Sequence, residues 1–119
     1  MNDNCTVYRT ASFIGKRWTL NMLLELYKGK NRKKRYSELK ASLPGITPKI
    51  LSLRLKELTK QGLVKKNVDS SAFPIKSEYS LTVSGREFII VIKGMKAWAL
   101  RWKYDNKLCE AHDCEKCLN

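Results

Sequence analysis

The sequence predicts a mainly helical domain with one small β-hairpin, an α+β class, and three observations lead there. The stretch "LPGITPKILSLRLKELTKQGLV" encloses a leucine stripe between a helix start and a helix stop. "LVKKNV" and "IKSEYSLT" are two short strand-like runs, the second alternating Tyr79 and Leu81 with polar neighbours. From Thr82 to about Tyr104, Phe88, Ile92, Met95, Ala99 and Trp102 recur at steps of four and three, as on one face of a helix.

In chain order, a first helix is expected over roughly Cys5 to Phe13, ending near Gly15. A second runs from about Arg17 to Lys28, where Trp18, Leu20, Leu23, Leu24 and Tyr27 keep helical spacing and Gly29 supplies a stop. "KGKNRKKR" follows, six basic residues in eight, and reads as a loop. Ser37 is the expected N-cap of a short helix through Leu43, which Pro44-Gly45 breaks. Thr47 then caps the next helix, and Pro48 takes the first helical position, where its missing N–H costs nothing. Ile46 before the cap packs on Leu51 as a hydrophobic staple, and Gly62 closes the helix. The polar "DSSAFP" joins the two strands, and Thr82 caps the long last helix. Ile89, Val91 and Trp98 spread that helix's apolar surface beyond one stripe. It therefore needs cover on more than one side, and a second subunit is the cover expected.

A chain of 119 residues is one domain with room for a small core. No apolar run approaches the ~18 residues of a membrane span. "MNDNCTVYRT" lacks the basic-then-apolar order of a secretion signal, so the expectation is a soluble cytoplasmic protein with no membrane partner. Lys and Arg number 24 against 11 Asp and Glu, a net charge of +13 that favours polyanionic partners. A membrane-surface helix would gather the lysines on a single polar face. Here they recur in four separate segments, which favours a folded basic surface. The last fifteen residues run the other way, with Asp105, Glu110, Asp113 and Glu115 against Lys107 and Lys116.

Projected at about 100° per residue, Leu51, Leu55 and Leu58 fall within roughly 60° of one another. Lys49, Ser52, Leu53, Lys56 and Lys60 lie on the far side, and Glu57, the lone acid, sits on the flank. Two helices, a short helix, a tight turn, a capped helix and a basic hairpin follow the order of a winged helix-turn-helix. An α-helix fits the major groove of B-DNA, held to its domain by one leucine face with the other free to enter. Lys49, Ser52, Leu53 and Lys56 are the expected groove residues; an exposed Leu53 suits a thymine methyl. Thr47, Arg54 and Lys60 complete the helix's candidate contacts, with Arg54 either on a phosphate or paired to an acid. Lys65, Lys66 and Lys76 of the hairpin, and Lys30, Arg32, Lys33, Lys34 and Arg35 of the basic loop, are the candidates for backbone phosphates.

The motifs "FIGKRWTLNMLLEL", "RYSELKASLPGITPKILSLRLKELTKQGLV" and "SEYSLTVSGREF" resemble those of the HxlR-type transcriptional regulators, over nearly all of residues 5–104. The resemblance implies a homodimeric winged-helix DNA binder that dimerises through its N- and C-terminal helices. It also implies a role for an N-terminal cysteine, here Cys5, in sensing oxidants or electrophiles, with tail cysteines that in some members pair with it. Two departures stand out: a longer, far more basic loop before "RYSEL", and a tail, "LCEAHDCEKCLN", outside the shared core. The chain thus divides into a DNA-binding and dimerisation domain over 1–104 and a cysteine-rich acidic tail over 105–119.

Cys5 reads either as a small core residue or as a reactive thiol, the latter if nearby positive charge or an amide-rich helix start lowers its pKa. Cys109, His112, Cys114 and Cys117 place four soft ligands within nine residues, the donor types of tetrahedral zinc, although structural zinc sites usually separate two ligand pairs more widely. Zinc at the tail, disulfide or redox switching, and idle thiols all remain open; elsewhere no cofactor is expected. The leading function is a sequence-specific homodimeric regulator on an inverted repeat, with half-sites about one turn or ~34 Å apart. The rival is an abundant, weakly selective protein that coats DNA. An enzymatic reading, Cys114-x-x-Cys117 as a dithiol oxidoreductase, lacks the βαβ context that motif requires, so no enzyme is expected.

Overall fold

The computed structural model describes residues 4–71, 73 and 76–117. Helix α1 (Thr6–Ile14) is followed by α2 (Thr19–Lys28), a 3-10 turn over Lys30–Arg32, strand β1 (Lys33–Arg35) and α3 (Tyr36–Ser42). Then come α4 (Pro48–Lys60), the hairpin β2 (Val64–Asp69) and β3 (Lys76–Leu81), the long α5 (Val83–Trp102), α6 (Lys107–Ala111) and a closing 3-10 turn over Cys114–Lys116. The sheet is antiparallel in the order β1-β3-β2, with Lys34 opposite Tyr79 and Lys66 opposite Tyr79 on the other side.

Caps explain most boundaries. The Thr47 hydroxyl accepts from the Ile50 N–H at 3.2 Å, and Pro48 opens α4 as expected. Thr82 does the same for α5, accepting from the Gly85 N–H at 3.1 Å. Gly62, at φ +86, turns the chain from α4 into the sheet through a backbone conformation that side chains resist. The core gathers Met22, Leu23 and Leu26 of α2, Leu39 of α3, and Leu51, Leu55 and Leu58 of α4. Val64, Tyr79 and Leu81 of the sheet and Ile89 and Ile92 of α5 close it, and Ile46 is buried beside them.

Several expectations are corrected. The basic run is not a loop throughout: residues 33–35 form an edge strand on β3, because their backbone finds partners there despite side chains that show no apolar alternation. Ser37 does not cap α3. Arg35 takes that position, and its N–H donates to Glu38 Oε1 at 3.0 Å across the first turn. Helix α1 begins one residue after Cys5, which sits at its N-cap. Helix α2 begins only at Thr19, since Trp18 adopts φ +81 and breaks the turn before it. The expected turn "DSSAFP" and the first residue of the second strand fall partly on positions 72, 74 and 75, outside the described residues. The acidic tail folds back, its closing 3-10 turn packing on α2.

Candidate nucleic-acid interface

Helix α4 presents two unlike faces. Leu51, Leu55 and Leu58 are fully buried in the common core, with α4 lying on β2. Lys49, Ser52, Leu53, Lys56 and Lys60 are exposed on the other side, Leu53 at 47%. Among the described residues no ion pair holds Lys49, Lys56 or Lys60, whereas Glu57 at the flank is taken by Lys16 at 2.7 Å. The face is therefore cationic with its one neighbouring acid already neutralised. An exposed leucine amid lysines gains nothing from water, but contact with a base methyl would bury it.

The structure also sorts the candidates that flank this face. Arg54 is half-buried and engaged by backbone: its Nε donates to the Arg17 carbonyl at 3.0 Å, joining α4 to the turn before α2. The Arg17 guanidinium in turn lies 4.7 Å from the Trp18 ring centroid. Tyr36, part of the "RYSEL" motif but not among the expected contacts, stands beside the exposed face of α4. Its hydroxyl donates to the Pro48 carbonyl at 3.3 Å and lies 3.4 Å from Ser52 Oγ. Lys65 and Lys66 are exposed on β2, Lys66 with its ammonium 5.8 Å from the Tyr79 ring centroid. The backbone of Lys76 opens β3 opposite Asp69. Phe73, between the two strands, is completely exposed.

The basic run is less available than its composition suggests. Lys33 pairs with Glu78 at 3.6 Å and Lys34 with Glu25 at 3.2 Å. Arg32 is engaged by Glu115 at 3.0 Å and by the Tyr27 carbonyl at 2.8 Å. Lys30 and Arg35 stay exposed on the rim of an open cleft of about 380 Å³ beside Gly29. These pairs occupy charge that the sequence alone would assign to phosphate.

The cysteines are half-buried and no disulfide joins them. Cys5 is at the N-cap of α1 without a side-chain capping bond. Cys109 lies on α6, and Cys114 and Cys117 bound the last 3-10 turn. Among the described residues no three His, Cys, Asp or Glu side chains gather as metal ligands, and the His112 Nδ1 is 3.0 Å from the Leu108 carbonyl oxygen, which can only accept. No helix among the described residues is long and apolar enough to cross a membrane.

Comparison with known proteins agrees with this geometry. A family profile described as HxlR-like helix-turn-helix matches residues 13–107. The HTH-type transcriptional regulator YdzF of Bacillus subtilis is 42% identical over 91 residues, 76% of this chain and 81% of its own. The HTH-type transcriptional regulator YodB of the same organism is 34% identical over 118 residues, 97% of this chain and 96% of its own. The reduced form of YodB superposes with a TM-score of 0.73 at 33% identity, over 86% of this chain and 97% of that one. A MarR-family transcriptional regulator from Porphyromonas gingivalis W83 superposes at 0.75 with 31% identity, over 87% and 97%. These relatives are winged-helix regulators and not enzymes, which sets the oxidoreductase reading aside. The chain belongs to the HxlR-like helix-turn-helix family of DNA-binding transcriptional regulators.

Proposed function

We propose that the protein is a cytoplasmic, sequence-specific regulator that binds an inverted repeat as a homodimer and responds to oxidants or electrophiles through its cysteines. The observation that carries the DNA reading is the cationic face of α4, with Lys49, Lys56 and Lys60 unpaired among the described residues around an exposed Leu53. Lys49, Ser52, Leu53 and Lys56 enter the major groove. Lys60 and the hairpin lysines Lys65, Lys66 and Lys76 meet phosphates, and Thr47 brings the start of α4 to the backbone. Lys30 and Arg35 are the exposed members of the basic run that no ion pair holds among the described residues, and they are the ones left for phosphate.

The dimer reading is supported by an exposed apolar surface on α1 and α5. Val7 and Tyr8 of α1 and Ile90, Val91, Met95, Trp98 and Trp102 of α5 are all more than half exposed. Scattered apolar residues are ordinary on a surface, but two tryptophans and a methionine on one helix face are an association surface. YodB has been solved in reduced, diamide-treated and quinone-bound forms, which supports thiol chemistry at Cys5, Cys109, Cys114 or Cys117.

Selection of DNA sites from a random pool, run side by side with reduced and with diamide-oxidised protein, tests the reading. The expected product is a palindrome with half-sites about one helical turn apart, enriched by reduced protein and less so by oxidised protein. Continuous coverage of unrelated DNA, lost uniformly as salt rises, would support the coating alternative instead.

A further inference from the structure

We propose that Tyr27, Arg32 and Lys93 form a receptor for two carboxylates, filled by the chain's own Asp113 and Glu115, and that this clasp braces the second half of α5 against α2. Tyr27 is its hub. Its ring carries the Arg32 guanidinium 4.4 Å from the centroid and the Lys93 ammonium 5.1 Å from it. Its hydroxyl donates to Asp113 Oδ2 at 3.0 Å and accepts from Lys93 Nζ at 3.0 Å. Lys93 meets the other oxygen of Asp113 at 2.6 Å, and Arg32 meets Glu115 at 3.0 Å. Two cations held on one ring of a +13 chain repel each other. The two acids offset that repulsion, and Asp113 also accepts the Glu115 N–H at 2.9 Å, which closes the turn that aligns both.

What the clasp holds is visible along α5. Ile89 and Ile92 are its last anchors in the core, and none of its residues beyond Ile92 is buried. From there Lys93 grips Asp113, and one turn later Lys96 donates to the His112 carbonyl at 2.7 Å. The tail thus lies along one flank of the helix, while Val91, Met95, Trp98 and Trp102 stay exposed on another side. With α5 as the dimer helix, a consequence that rests on the homodimer reading above, the clasp sets how rigidly the recognition helices of the two subunits are related.

The test is hydrogen exchange on the full-length protein without DNA, comparing the natural chain, Asp113→Asn with Glu115→Gln, and Tyr27→Phe. The double variant is expected to exchange about tenfold faster over residues 107–117, and faster by a smaller factor over 93–102. Tyr27→Phe, which deletes one hydroxyl and keeps the ring, raises exchange in the same segments by less. Unchanged exchange in both segments would overturn the clasp. Faster exchange in the tail alone, with 93–102 unaffected, would overturn the brace. Because DNA is absent throughout, loss of operator binding in a separate assay bears on the proposed function and not on this result.

Discussion

Replacing Arg54 with alanine separates a structural role from a DNA contact. The Nε–H of Arg54 donates to the Arg17 carbonyl at 3.0 Å and ties the middle of α4 to the turn where Trp18 takes a positive φ. A hydrogen bond from a charged donor is worth about 1.5–3 kcal/mol when buried. Arg54 is only half-buried, so solvent screening reduces the expected loss to about 1 kcal/mol. For a domain of this size that corresponds to a fall in melting midpoint of about 4 °C. Calorimetry on Arg54→Ala reads the midpoint, and titration of an operator duplex at several salt concentrations reads the DNA contact. Each neutralised phosphate contributes about 0.9 to the slope of log affinity against log salt, so removing one phosphate partner from each subunit of a dimer would flatten it by about 1.8. The pin predicts a lower midpoint with the slope unchanged. An unchanged midpoint with a flatter slope would refute it and assign Arg54 to phosphate.

Three further perturbations follow from the same structure. Gly85→Ala should cost about 2 kcal/mol or more in denaturant unfolding, because a Cβ there overlaps the Leu63 carbonyl oxygen that already accepts from the Thr82 N–H. Thr47→Ala should cost about 1 kcal/mol by removing the cap of α4, again read by denaturant. Asp113 is held down to about 2, chiefly by the Lys93 ammonium, then by the Glu115 N–H and the Tyr27 hydroxyl. A depressed carboxyl stabilises above its unfolded pKa and loses that contribution as pH falls toward the folded value. The contribution is therefore complete above about pH 5 and declines from pH 4 toward 2. With the side chain 39% exposed, screening limits it to about 1 kcal/mol. Asp113→Asn should abolish that part of the acid destabilisation in thermal melts.

How much could be read in advance depended on whether the information was local. Helix α4 was legible because Thr47, Pro48, the leucine stripe and Gly62 lie within sixteen residues and each acts on its neighbours. The hairpin and the Thr82 cap were legible for the same reason, and the surplus apolar face of α5 showed as residues too many for one stripe. Strand β1 was not legible: Lys33–Arg35 has no apolar alternation and becomes a strand only through β3, some forty-five residues away in sequence. Nor was the partner of Arg54, a backbone carbonyl that any residue at position 17 would offer. The clasp joins Tyr27 to Asp113 across 86 positions, and neither residue announces the other. Composition counted Arg32, Lys33 and Lys34 as free positive charge, whereas folding pairs them with Glu115, Glu78 and Glu25.

The most direct measurement is a footprint and titration of Lys49→Glu with Lys56→Glu on the DNA site selected by the natural protein. Both side chains are exposed on α4, so the fold should survive, as circular dichroism can verify. Reversing four charges in a dimer should lower affinity on the order of a hundredfold or more and erase the protected palindrome. Undiminished protection of that palindrome by a folded double variant would contradict the assignment of α4 as the element that reads DNA.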